Sequence, residues 1–347
     1  MTEESTNSAK DTGDDMVRAE AAAAPFDEES FVRQARRKST WRIIMTAAAV
    51  TLLAALLFAA GWYAWNRVIN YHSNRISIYQ YELVALSTPN THVTGTGRTL
   101  YRFPRALNTY TTYRPVGDRP MAAGEFVVDF SLWGSELSPS QWRVAWDGGR
   151  WFTGPLMVPE LGFVMPGHAS RAADDPEARE YVEYYTPIFE AETERTTSAL
   201  ASAPDSATAE VAISFSEFLS LDQMERLIGS DVTLNWGAVD VWEDEERPAW
   251  PIAGHMVGIA FIWPDGAEGP VETAQAERDV IDKLRFVAKH APEGTAVLCT
   301  RSADHLVENG VRYYGAVVTG RVDALRQLVE YDGVSASVLG FVVEPWQ

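Results

Sequence analysis

Between Ile43 and Trp65 the chain runs IIMTAAAVTLLAALLFAAGWYAW, 23 positions without a charged residue. No surface helix of a water-soluble domain reads like this. At about 1.5 Å rise per residue such a helix is roughly 35 Å long, enough for the roughly 30 Å hydrocarbon core of a bilayer with some tilt. The stretch predicts a transmembrane helix and divides the rest of the chain into two sides.

Charge sets the orientation. Arg33, Arg36, Arg37, Lys38 and Arg42 place five cations in the ten residues before the stretch, whereas Arg67 and Arg75 are the only ones at a similar distance after it. The positive-inside bias puts residues 1–42 in the cytoplasm and the C-terminal region outside the cell membrane, in a single-pass topology. Trp62, Tyr63 and Trp65 read as the outer aromatic belt and Trp41 as its inner counterpart. A cleavable signal peptide is the competing reading, with Ala59 and Gly61 spaced like a cleavage site. The apolar run is too long for it, and the preceding segment of about forty residues too extended. Small residues in the stretch, Ala47–Ala49, Ala54, Ala55 and Ala59–Gly61, leave room for a homodimer contact between two spans.

Of 347 residues, 29 are Lys or Arg and 48 are Asp or Glu; residues 1–42 hold seven and nine of them, leaving 22 and 39, a net of −17, beyond. A surface so acidic repels phosphate, so nucleic acid is not an expected partner. Twelve Trp, thirteen Tyr and fourteen Phe supply ample core for folded units after the stretch. The single cysteine, Cys299, lies in the apolar run AVLCT, which reads as a buried filler and excludes a disulfide scaffold.

Four segments follow. Residues 1–42 form a cytoplasmic tail, disordered and then a short basic helix N-capped by Asp27; 43–65 is the span. Residues 66–205 form a β-rich domain ending in a helix, and 206–347 an α+β domain. Within 66–90 the pattern does not separate helix from strand. Strands are expected at Thr99–Phe103, Glu125–Trp133 and Gln141–Phe152, with a hairpin turn at Asp147–Arg150. Gly95-Thr-Gly97 lacks the third glycine and the strand-to-helix context of a phosphate loop, and reads as a turn. A helix over about Glu177–Leu200 carries Tyr181, Tyr184, Tyr185, Ile188 and Phe189 as an expected core face. The segment Ala199–Ala209 is taken as the domain boundary.

In the last domain, Glu210–Phe215 is a strand and Ser220–Gln223 a capping box opening a helix that stops near Gly229. Strands at Asp231–Trp242, Gly254–Trp263, Val311–Thr319 and Val334–Val343, with helices at Val271–His290 and Val322–Tyr331, complete a βαββαβαβ order. The fold class is α+β: a mostly antiparallel sheet with helices on one face, behind a β-rich middle domain and a single N-terminal span.

No chemistry announces itself. The six histidines have no short-range zinc spacing, there is no GxSxG or SxxK, and Glu243–Glu246 lacks the alternating ligands and glycine of a calcium loop. No catalytic, metal or cofactor residue is therefore expected, and the chain is read as a non-enzyme. In the tail, Phe26, Phe31, Val32 and Ala35 are the apolar residues a cytoplasmic partner could grip. The same segment read blandly only supplies topology charges.

One resemblance covers most of the chain from Phe31 onward. The strands Glu210–Ser216 (EVAISFS), Leu234–Trp242 (LNWGAVDVW) and Tyr314–Gly320 (YGAVVTG) occur in that order. They are preceded by Phe31–Lys38 (FVRQARRK), Thr88–Asn90 (TPN) and Glu180–Pro187 (EYVEYYTP). This order resembles the membrane-bound sigma factor regulators whose outer part is called the anti-sigma factor C-terminal domain. The resemblance implies a regulator that holds an extracytoplasmic-function RNA polymerase sigma factor at the membrane and releases it on an envelope signal. With no His/Cys zinc ligands in the tail, capture would rest on a short helix presenting Phe26, Phe31 and Val32. A non-catalytic binding or scaffold module of the cell envelope, with a merely topogenic tail, stands as the alternative.

Overall fold

The computed structural model describes residues 27–102, 105–131, 134–143, 146–147, 150–151, 161–166, 176–242, 256–261, 273–291 and 293–344. Phe26, the acidic run 243–246 and the tail before residue 27 lie outside them. The chain forms two compact units, Met1–Asn66 and Arg67–Gln347.

Helix α1, Glu28–Ser87, begins where Asp27 accepts hydrogen bonds on Oδ1 from the Glu29 and Ser30 amides, both at 3.2 Å. The predicted N-cap is thus in place, and Glu28 and Glu29 suit the helix dipole. Among the described residues, α1 is the one helix long and apolar enough to cross a membrane. Its large apolar side chains from Ile43 to Phe58 are all more than half exposed. The undecided stretch after Trp65 is helix, ending at Ser87 because Pro89 disfavours helical backbone at Thr88 and Asn90 turns the chain with φ +50°.

A four-stranded antiparallel meander follows, β1 (His92–Arg102), β2 (Arg105–Val116), β3 (Arg119–Ser131) and β4 (Gly134–Arg143), in the order β1-β2-β3-β4. The expected strands at 99–103 and 125–133 fall in β1 and β3. Strand β2 was not anticipated: Thr and Tyr recur in it, and the inward set mixes Asn108, Thr112 and Arg114 with Ala106, Tyr110 and Val116. Gly95-Thr-Gly97 is not a turn but the bulged part of β1, whose register against β2 shifts between Val93 and Gly95 and again between Thr96 and Arg98. Glycine inside a strand marks such bulges as readily as it marks turns. The hairpin at Asp147 and Arg150 is present, joining β5 (Trp146–Asp147) to β6 (Arg150–Trp151).

Helix α2 (Pro176–Ser202) leads into β7 (Thr208–Leu219), α3 (Leu221–Ile228), β8 (Val232–Val239), β9 (Val257–Ala260), α4 (Thr273–His290), α5 (Glu293–Asn309), β10 (Tyr313–Arg321), α6 (Val322–Val329) and β11 (Val334–Val343). The five strands pair antiparallel throughout in the order β11-β7-β10-β8-β9. The α+β class read from the sequence is the fold observed. The capping box is complete: Ser220 Oγ accepts from the Gln223 amide and Gln223 Oε1 from the Ser220 amide, and α3 stops at Gly229 with φ +77°. That conformation favours glycine over any side chain.

Two readings need correction. The row on α2 is not inward throughout: among its described side chains Tyr184 is 65% and Ile188 43% exposed, while Phe189 packs against the central core. The helix instead buries Thr196 and Leu200 and seats against β11 and α6, so its inward stripe falls on small and β-branched residues that periodicity in aromatics hides. Helix α5 was missed, because its run AVLCT resembles a buried strand; Cys299, Ala303 and Leu306 recur at helical spacing and pack inward. One face of the five-stranded sheet carries Ala212, Trp236, Ala238, Tyr314 and Val338, closed by Leu161, Phe163 and Met165 from the segment before α2.

Candidate functional site at the end of helix α1

The sequence-predicted partner residues and the candidate site lie in different compact units. In Met1–Asn66, Phe31 and Val32 are 58% and 47% exposed and Ala35 is exposed one turn beyond Phe31. Arg33, Arg36, Arg37, Lys38 and Arg42 are all exposed, with Arg33 paired to Glu29 at 3.1 Å.

In Arg67–Gln347 the structure gathers polar residues that motif reading had not assembled. Asn90, two residues after the Thr88 that leaves α1, is fully buried. Its Nδ2 donates to Glu210 Oε1 at 2.7 Å and to the Pro115 carbonyl at 3.1 Å. Asn235 on β8 donates to the same carbonyl at 3.0 Å and accepts from Thr319 Oγ1 on β10 at 2.9 Å. Arg114 on β2 reaches Glu210 Oε2 at 3.5 Å, with the Phe341 ring 4.6 Å from its guanidinium carbon. The Phe341 amide donates to the same oxygen at 3.4 Å. Position 340 must be glycine, since a Cβ there would collide with the Glu210 carboxylate.

Each stretch has a reason to bring its polar residue here. Glu210, Asn235 and Thr319 sit on β7, β8 and β10, three adjacent strands in which the surrounding residues are apolar and buried. A polar side chain in such a strand has to find partners inside. The Pro115 carbonyl accepts from both Asn90 and Asn235. Burial pushes the Glu210 carboxyl above the ordinary carboxylate range, opposed by Arg114 and then by the hydrogen bonds from Asn90 and Phe341. Burial likewise pulls Arg114 down, opposed by Glu210. Each charge is the main reason the other tolerates its place.

Three further contacts tie the C-terminal part of α1 to the same body. Trp236 Nε1 donates to the Ala85 carbonyl at 2.9 Å, Lys283 of α4 pairs with Glu82 at 3.2 Å, and Asn108 donates to Ser73 Oγ at 2.7 Å. Next to the cluster, His92 is buried against Tyr113, and burial together with Lys283 brings its pKa down to about 4. The arrangement has no nucleophile beside a base. Among the described residues no three His, Cys, Asp or Glu side chains gather as metal ligands. Cys299 is buried, and burial pushes its thiol up to about 11. What the cluster can do is mechanical: it holds the end of α1, strand β2 and the C-terminal sheet in one register.

Residues 200–341, which hold most of the C-terminal sheet and its helices, match the model of the sigma factor regulator C-terminal family. Over 338 residues, 93% of this chain and 84% of the relative, the sequence is 22% identical to the probable anti-sigma-M factor YhdL of Bacillus subtilis (strain 168). No solved structure matches. The family resemblance seen in the strand motifs is thereby supported. The polar members of four of those motifs, Asn90, Glu210, Asn235 and Thr319, form the buried cluster. The available signal was a Glu, an Asn and a Thr set in otherwise apolar strands.

Proposed function

We propose that this chain is a single-pass membrane regulator of the anti-sigma type, with residues 1–42 in the cytoplasm, 43–65 in the bilayer and the remainder outside. The N-terminal segment holds a sigma factor through Phe26, Phe31, Val32 and Ala35; the outer body responds to an envelope condition and acts without catalysis. The observation that carries the reading is the family match over residues 200–341 on a chain that also holds a long exposed apolar helix. The cluster around Glu210 supports it further, since a rearrangement of the C-terminal sheet reaches the last turns of α1 through Asn90 and Ala85. Small residues along the span offer a second copy a contact surface.

The test is co-purification. The full chain extracted from membranes is expected to retain a sigma factor, and Phe31→Ala to weaken that retention about tenfold, the loss of one well-buried aromatic anchor. Failure to retain any sigma factor overturns the reading. Topology is checked separately in intact cells, where a cysteine introduced by Arg37→Cys is expected not to react with an impermeant thiol reagent.

A further inference from the structure

We propose that the basic collar of α1, Arg33 to Arg42, is a binding site for the headgroups of anionic phospholipids; the proposal rests on the membrane-spanning reading above. Because α1 is unbroken from Glu28 through the apolar stretch, helix rise alone fixes the height of each charge above Ile43. Arg42 stands at about 1.5 Å, Lys38 at about 7.5 Å, Arg37 and Arg36 at about 9 and 10.5 Å, and Arg33 at about 15 Å. The polar layer of one leaflet is roughly 5–7 Å deep, and the screening length at physiological salt is about 8 Å. All five cations therefore stand within reach of headgroup phosphates. Glu29, Glu28 and Asp27, at about 21–24 Å, stand beyond it. The helix sorts cations toward the membrane and carboxylates away from it.

Two details favour lipid over a protein surface as the occupant. At about 100° per residue the five cations are spread around the helix and not along one face, and all are exposed. A docked protein covers one side of a helix, whereas a leaflet surrounds it. Trp41, 65% exposed among them, is an interfacial anchor at the boundary itself. Among the described residues, Arg33 is drawn toward an acid, in an exposed pair with Glu29 that competes weakly.

Each such cation strengthens attachment to an anionic surface roughly fivefold. The full chain, reconstituted into phosphatidylcholine vesicles containing phosphatidylglycerol, is expected to hold spin-labelled phosphatidylglycerol beside it over spin-labelled phosphatidylcholine. The expected preference is about threefold or more at 0.1 M salt, falling toward one at 1 M. Arg33→Gln, Arg36→Gln, Arg37→Gln and Lys38→Gln together should lower the preference at low salt to what Arg42 alone supports. Equal retention of the two lipids at low salt overturns the collar as a site, as does a preference unmoved by salt or by the four substitutions. If neither labelled lipid is restrained by the chain, the membrane span itself is wrong.

Discussion

Arg114 and Glu210 meet inside the protein, Nη1 to Oε2 at 3.5 Å, with side chains 4% and 0% exposed. Ion pairs that far from water owe little net stability to their attraction, because desolvation offsets it. Breaking one half is a different matter. Glu210→Gln keeps the shape but strands the guanidinium, and is expected to lower unfolding stability of the full chain in detergent by about 3–5 kcal/mol. The paired change Arg114→Met with Glu210→Leu should recover part of that loss. Urea titrations of the two variants against the unchanged chain check both statements. A Glu210→Gln loss below about 1 kcal/mol would show the pair to be incidental.

His92 gives the fold an acid limb. Its imidazole titrates at about 4 in the folded chain, because burial and the nearby Lys283 disfavour the cation, against about 6.5 when unfolded. The unfolded state therefore binds the extra proton more readily between pH 6.5 and 4. Stability is complete above about 6.5 and declines as pH falls through that window, by up to roughly 3 kcal/mol. Melting temperatures measured from pH 7.5 to 4.5 should show the decline, and His92→Phe should flatten it. An unchanged slope in that variant assigns the acid sensitivity elsewhere.

Arg326 of α6 fastens the end of α2. Its Nε donates to the Leu200 carbonyl at 2.8 Å and its Nη2 to the Ala203 carbonyl at 2.6 Å, while Nη1 pairs with Asp205. These carbonyls lack helix partners of their own, and the planar fork meets several at once. Arg326→Ala is expected to cost about 2 kcal/mol, and Arg326→Lys to restore less than half, since an ammonium cannot match the fork. Thermal unfolding of the two variants measures the difference.

The legible parts of the chain were those in which local chemistry acts alone. The uncharged stretch, the Asp27 cap, the Ser220 box and the stop at Gly229 each depend on residues within a few positions of one another. Strand β2 and helix α5 were illegible for the opposite reason. Strand β2 is a strand because its polar inward residues find partners, Asn108 at Ser73 and Arg114 at Glu210, that lie 35 and 96 positions away. The buried cluster was equally hidden. Its members were visible one by one inside quoted motifs, yet the turn at Asn90 and the order β7-β10-β8 bring them together, and neither follows from spacing.

Trp236 extends this long-range logic to the helix itself. Its ring is buried against Phe163, while its indole N–H reaches out to the Ala85 carbonyl, one of the last-turn carbonyls of α1 that have no partner within the helix. A Cβ at Gly258 would fall inside that ring, so glycine there is what lets the indole lie flat across the sheet. Trp236→Phe keeps most of the apolar volume but removes the donor, and is expected to lower stability by about 1–3 kcal/mol. The distinguishing readout is local. Amide exchange at Thr88, whose N–H closes the last turn on the Val84 carbonyl, should accelerate more than exchange in β7. Uniform acceleration across the body would mean that Trp236 acts only as core, and that the end of α1 is held by Asn90 and by the contacts at Glu82 and Ser73.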